Sequence, residues 1–122
     1  MIDHIGMSVT DVATSKAFYT SALAPLGYAV IMEFAGDVGF GVPPKPDFWI
    51  GETLDDVLPT HVAFRADNRK QVDAFYKAAL AADGRDNGPP GLRPDYHANY
   101  YGAFVLDPDG HNVEFVCQQG PD

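Results

Sequence analysis

Residues 3–27 return, without a gap, as residues 60–84, and this internal repeat limits the fold more than any other feature of the sequence. After a shift of 57 positions His4 falls on His61, and Ala17, Phe18 and Tyr19 fall on Ala74, Phe75 and Tyr76. Ala22, Leu23 and Ala24 fall on Ala79, Leu80 and Ala81, and Gly27 falls on Gly84. Asp11 meets Asn68, two residues that serve equally well as helix N-caps. A unit of half the chain, used twice, makes a two-module domain and not a stacked array. One domain over residues 1–122 is expected, built from modules 1–56 and 57–122. The length, 122 residues, is enough for a real core.

Each module opens on a short strand, Ile2–Val9 or Thr60–Ala66, rich in β-branched or aromatic residues. A capped helix follows. After Asn68 the residues Val72, Phe75, Tyr76, Ala79 and Leu80 have the spacing of one helical face. After Asp11 the stripe is Ala17, Phe18, Ala22 and Leu23, and Pro25 with Gly27 ends it. Strands are expected at Tyr28–Phe34, Val38–Val42 and Phe48–Gly51, then at Tyr100–Leu106 and His111–Cys117. The Gly/Pro-rich stretch Gly84–Asn99 hides any strand of its own. The order β-α-β-β-β, twice, describes an α+β fold with helices on one face of a curved, mostly antiparallel sheet.

Chemistry concentrates near the end of the chain. Asp107-Pro108-Asp109-Gly110 is strong turn chemistry, since proline presets one backbone angle and glycine accepts a positive φ. The strand after it places Glu114 among Val113, Phe115 and Val116. A carboxylate in such a run needs a cation or several donors, because burial without a partner is costly. His4 and His61 hold matching places in the first strand of each module. His, His and Glu together suit a borderline divalent metal: Fe, Mn, Co, Ni or Zn. The plainer alternative is two core histidines and a hydrogen-bonded carboxylate. Tyr96, His97 and Tyr101 are candidates for moving a proton, and Trp49, Arg93 and Tyr100 for contacting substrate. His111 reads as a turn residue. Cys117 is the only cysteine, so no intramolecular disulfide forms, and it reads as a small buried residue.

A net charge of −9 argues against a nucleic-acid surface or an anionic membrane, both of which call for clustered Lys and Arg. No apolar run approaches the roughly 20 residues that span a bilayer. The first residues, Met1 to Val9, carry an early acid and no basic region, unlike a secretory leader. A soluble cytoplasmic protein is expected. Neither a nucleophile elbow nor a phosphate-binding or dinucleotide glycine motif occurs.

The repeat, the two strand histidines, Val9-Thr10-Asp11, the paired Phe-Tyr and the D-P-D-G-H-x-x-E run at 107–114 together resemble the vicinal oxygen chelate superfamily. That group includes glyoxalase I, extradiol dioxygenases, and fosfomycin and bleomycin resistance proteins. The resemblance spans essentially the whole chain. It implies paired βαβββ modules forming a cup-shaped half-barrel around a divalent metal held by His4, His61 and Glu114. It also implies a small-molecule substrate and a homodimer, often with each site built from modules of both chains. Glyoxalase I has a further carboxylate on the last strand of its first module; here that strand is apolar at its centre and Glu52 stands at its end. The tyrosine that precedes the metal glutamate in fosfomycin enzymes is Phe104, the threonine two places after their first histidine is Gly6, and no acid–base histidine of the extradiol kind shortly precedes His61. The implied activities are a metal-dependent enzyme of this kind, a bleomycin-resistance-like binding protein without catalysis, or a lactoylglutathione lyase-type isomerase.

Overall fold

A computed structural model describes all residues, 1–122. The first half contains β1 (Ile5–Val9), α1 (Val12–Ala22), β2 (Ala29–Phe34), β3 (Asp37–Gly41) and β4 (Phe48–Glu52). The second half contains β5 (His61–Arg65), α2 (Arg69–Ala81), β6 (Arg85–Asp86), β7 (Gly91–Leu92), β8 (Tyr101–Leu106) and β9 (Asn112–Cys117). Strands within Gly84–Asn99 are thus two residues long, too short for any periodicity to reveal.

Each half makes its own sheet, in the orders β1-β4-β3-β2 and β5-β9-β8-β6, with β7 also on β8. β1 runs parallel to β4 and β5 parallel to β9; the other pairs are antiparallel. The result is an open α+β fold, with no closed barrel. The edges β1 and β5 share no ladder with each other.

The helices start where the caps say they should. The Asp11 carboxylate accepts from the Thr14 amide at 3.2 Å, and Asn68 accepts from Gln71 at 2.9 Å. Gly27 closes the single helical turn Ala24–Leu26 that follows α1, at φ 79°, a backbone angle that glycine adopts without steric cost. Phe18, Ala22 and Leu23 are buried as expected, while Ala17 faces solvent and Ser15 and Tyr19 complete the buried face. α2 buries Val72, Phe75 and Ala79.

One hydrophobic cluster joins both halves. Phe75 of α2 stacks on Phe115 of β9 at 4.1 Å between centroids, and Tyr19 of α1 meets Phe48 of β4 edge-on at 5.0 Å. Phe64 of β5 meets Phe48 at 5.2 Å and Tyr28 at 5.7 Å, which carries the core across the seam. Odd positions of β9 therefore face α2, and alternation turns Glu114 to the opposite side. No helix is long and apolar enough to cross a membrane.

Candidate functional site

Glu114 sits on the β9 face away from α2, paired in register with Ala63 of β5 and Phe104 of β8. It is 1% exposed. Its Oε1 accepts from Nε2 of His61 at 2.7 Å, and its Oε2 accepts from the Tyr100 hydroxyl. The Tyr100 phenol is pushed up by burial first, then by its bond to Glu114 and the charge there. It keeps its proton through the neutral range and is a donor here, not a base.

Arg93, Phe104 and Tyr96 surround this core. The Arg93 guanidinium lies over the Phe104 ring at 5.4 Å and donates to the Pro89 carbonyl at 2.8 Å. The His61 ring is 6.4 Å from Phe104. Tyr96 meets Tyr100 edge-on at 5.1 Å and remains 69% exposed. Five sequence candidates, His61, Glu114, Tyr100, Arg93 and Tyr96, thus gather on one face of the second sheet.

The others do not join them. Tyr101 follows Tyr100 in sequence, but alternation aims it at α2, where its hydroxyl donates to Asp73 at 2.7 Å beneath Arg69. This corrects its grouping with the pocket tyrosines. His97 is exposed and accepts from the Asn99 amide at 3.1 Å through its own Nδ1. His111, read as a turn residue, is buried.

His4 stands just before β1 and not in mid-strand, because ladder pairing begins at Ile5. Its side chain is 61% exposed and contacts Asp3 at 2.8 Å, while Asp3 also pairs with Lys45. Lys45 first, then His4, holds the Asp3 carboxyl below its usual range. His4 shares a shallow hollow of about 370 Å³ with Gly6, Ser8, Asp37, Trp49 and Gly51. Within a single chain no three His, Cys, Asp or Glu side chains converge on a point that would hold a metal.

Strand register shows what the first half offers in place of Glu114. Ile5 pairs with Phe48 and its repeat equivalent Val62 pairs with Val113, so Trp49 holds the place of Glu114. The indole lies over Gly39, where an added Cβ would come within 2.8 Å of the ring, and stacks on Phe34 at 6.2 Å. Glu52 occupies the place of Cys117, and its Oε1 accepts from the Val12 amide at 2.9 Å, at the start of α1. Phe34 and Asp37 were not singled out from sequence, and Phe104 only through the family resemblance; counting alternation outward from Trp49 and Glu114 across the hairpins finds all three.

Comparison with known proteins gives the following. The family model for the "Glyoxalase/Bleomycin resistance protein/Dioxygenase superfamily" matches residues 1–115. No curated protein matches. Among solved structures, a glyoxalase/bleomycin resistance protein from Albidiferax ferrireducens is 26% identical with a TM-score of 0.81, covering 94% of this chain and 96% of that one. A glyoxalase/bleomycin resistance protein/dioxygenase family enzyme from Burkholderia phytofirmans has a TM-score of 0.75 at 16% identity, covering 97% and 98%. A lactoylglutathione lyase from Agrobacterium tumefaciens has a TM-score of 0.73 at 18% identity, covering 96% and 92%. The latter two are similar in fold.

Proposed function

This chain belongs to the glyoxalase/bleomycin resistance protein/dioxygenase superfamily, and on that premise we propose that it is a metal-dependent enzyme acting on a small molecule with neighbouring oxygens. His61 and Glu114 would hold the divalent metal (Fe, Mn, Zn, Ni or Co) from the second half of one chain. His4 would complete the set from the first half of a second copy. The observation that carries this reading is Glu114 itself. It is buried, no Lys or Arg pairs with it, and its charge meets only a phenol and an imidazole. A carboxylate so placed gains from a cation beside it.

Held there, such an ion would supply Lewis-acid stabilisation for negative charge developing on two adjacent substrate oxygens. The chain's own groups do the rest. Tyr100 holds Oε2, while Oε1 and His61 Nε2 share a proton that a bound ion would replace. Arg93, steadied over Phe104, presents a guanidinium to a substrate carboxylate or phosphate. Trp49 supplies an apolar wall from the opposing half.

The homodimer belongs to this reading. β1 and β5 end their sheets, so each presents an edge that no strand of the chain pairs. Such edges invite pairing with another chain, and a two-fold arrangement of two copies would set the first half of one beside the second half of the other.

Protein purified without chelators is expected to hold a transition metal close to one equivalent per chain. Removing and restoring it at a hundredfold excess over Kd would return about 2.7 kcal/mol of stability, a rise of roughly 8–15 °C in Tm for a domain of this size. Sub-stoichiometric metal and no thermal response to Mn, Zn, Fe or Ni would overturn the reading.

One observation favours a second reading, a bleomycin-resistance-like binder without catalysis: Trp49, stacked on Phe34, lines the hollow where a ligating side chain would have stood. That reading predicts small-ligand binding that survives His61→Ala. A lactoylglutathione lyase-type isomerase would need Glu52 as a fourth ligand, but Glu52 is held against α1; turnover of the methylglyoxal–glutathione adduct tests it directly.

A further inference from the structure

We propose that the Asp107–His111 turn is the positioning element that sets the two halves of the chain, and hence their two half-sites, relative to one another, with His111 as its central residue. The consequence for the half-sites rests on the enzyme reading above; the positioning of the halves does not.

The His111 ring bridges strands that share no ladder. Its Nδ1 accepts from the Thr60 amide at 2.9 Å, one residue before His61. Its Nε2 donates to the Ser8 carbonyl of β1 at 2.8 Å. A donor on one side and an acceptor on the other fix the neutral Nε2–H tautomer. The ring is held in turn by its own backbone, since Asp107 Oδ1 accepts from the His111 amide at 2.8 Å and from the Asp109 amide at 2.9 Å.

The two carboxylates of the turn also reach into the first half. Asp107 Oδ2 accepts from the Tyr19 hydroxyl of α1 at 2.6 Å. Asp109 accepts from the Thr10 hydroxyl at 2.7 Å and from the Thr10 amide at 3.2 Å. Asp107 and His111 are each 1% exposed. Burying both is costly unless their bonds are made; Asp107 Oδ1 serves the reversal itself, but Oδ2 and the His111 ring do not. What their side chains share is a reach into the first half, Asp107 to Tyr19 and His111 to Ser8, with Asp109 adding Thr10. The seam beside them is aromatic, Phe48 against Phe64. Apolar contact of that kind is non-directional and leaves rotation of one half against the other soft. Directed hydrogen bonds remove that freedom at the point where β1 and β5 come together.

The test is a spin–spin distance between nitroxides on exposed Ala13 of α1 and Lys77 of α2, diluted with unlabelled chain. Cys117 is fully buried and stays unlabelled. The unaltered sequence should give one narrow distribution. His111→Ala should widen it about twofold or more, and His111→Gln, whose carboxamide keeps one acceptor and one donor, should narrow it again. Val72→Ala, a core truncation that removes none of the turn's hydrogen bonds, should leave it narrow. If His111→Ala does not fold, Asp109→Ala must widen it in the same direction. Alongside, His111→Ala should weaken Mn²⁺ binding about tenfold, as loss of an outer positioning group does. An unchanged distance in His111→Ala, or no restoration by Gln, overturns the proposal. If the unaltered protein binds no Mn²⁺, the enzyme reading falls, while the distance result still decides the positioning role.

Discussion

Positions 49 and 114 hold the same place in the repeat, yet one carries an indole and the other a carboxylate. Their cross-strand neighbours differ in the opposite sense. Trp49 lies over Gly39, whereas Glu114 pairs with Phe104. The larger side chain changes strands between the halves, so the same patch of sheet is filled in both, once by an indole and once by a benzyl ring beside an acid. A second matched pair diverges as well. Tyr19 is fully buried on Asp107, while Tyr76 is half-buried and bonds Asp86 within its own half. Even the glycines differ: Gly27 serves a positive φ, and at Gly84 an added Cβ would strike Val105 at 2.5 Å. Two copies of one scaffold can thus keep strands and caps while one copy takes the polar chemistry and the other an aromatic wall and a clamp.

The largest effect should come from breaking the polar half. His61→Ala or Glu114→Gln should cost at least about a hundredfold in Mn²⁺ affinity, about 2.7 kcal/mol, by titration calorimetry, while Glu52→Gln should leave it unchanged. Equal losses at Glu52 and Glu114 would erase the asymmetry. Next, Tyr19→Phe strips one oxygen of a buried carboxylate of its donor and should cost about 2 kcal/mol in urea unfolding. Its repeat counterpart Tyr76→Phe should cost far less. Gly39→Ala should follow, at about 1–2 kcal/mol, and the emission of the single tryptophan should shift as the new methyl displaces the ring.

The smallest effect concerns alkaline stability. Tyr101 is pushed up to about 12 by its bond to Asp73 and then by burial, from a usual 10.0. Its folded value lies above its unfolded one, so its contribution is whole below pH 10 and is lost as pH rises through about 12. Tyr101→Phe should make the fall in denaturation midpoint over that range shallower.

Much of this was legible in the order of residues. The repeat carried the fold, because a 57-residue offset with matched caps at Asp11 and Asn68 admits few architectures. His4, His61 and Glu114 were read as one set, since a carboxylate amid Val113, Phe115 and Val116 must find a partner, and the fold brings the last two into contact. The rest depends on quantities that no local pattern carries. Tyr100 and Tyr101 look alike until pairing fixes which of them faces Asp73. Trp49 and Glu114 are equivalent only through the register of two parallel ladders. His4 looks like a strand residue until the ladder is seen to begin at Ile5. The grip of Asp107, Asp109 and His111 on residues about a hundred positions away is invisible to any window of sequence.

The central claim is that each site combines the second half of one chain with the first half of another. Mixing His4→Ala chains with Glu114→Ala chains under conditions of subunit exchange tests it most directly. A site spanning two copies leaves one intact site in every mixed dimer, so Mn²⁺ binding lost in each variant alone should return at roughly one site per four chains. Within a single chain every site would keep its lesion. Binding that stays absent after exchange, in a protein whose unaltered form binds Mn²⁺, would contradict the account.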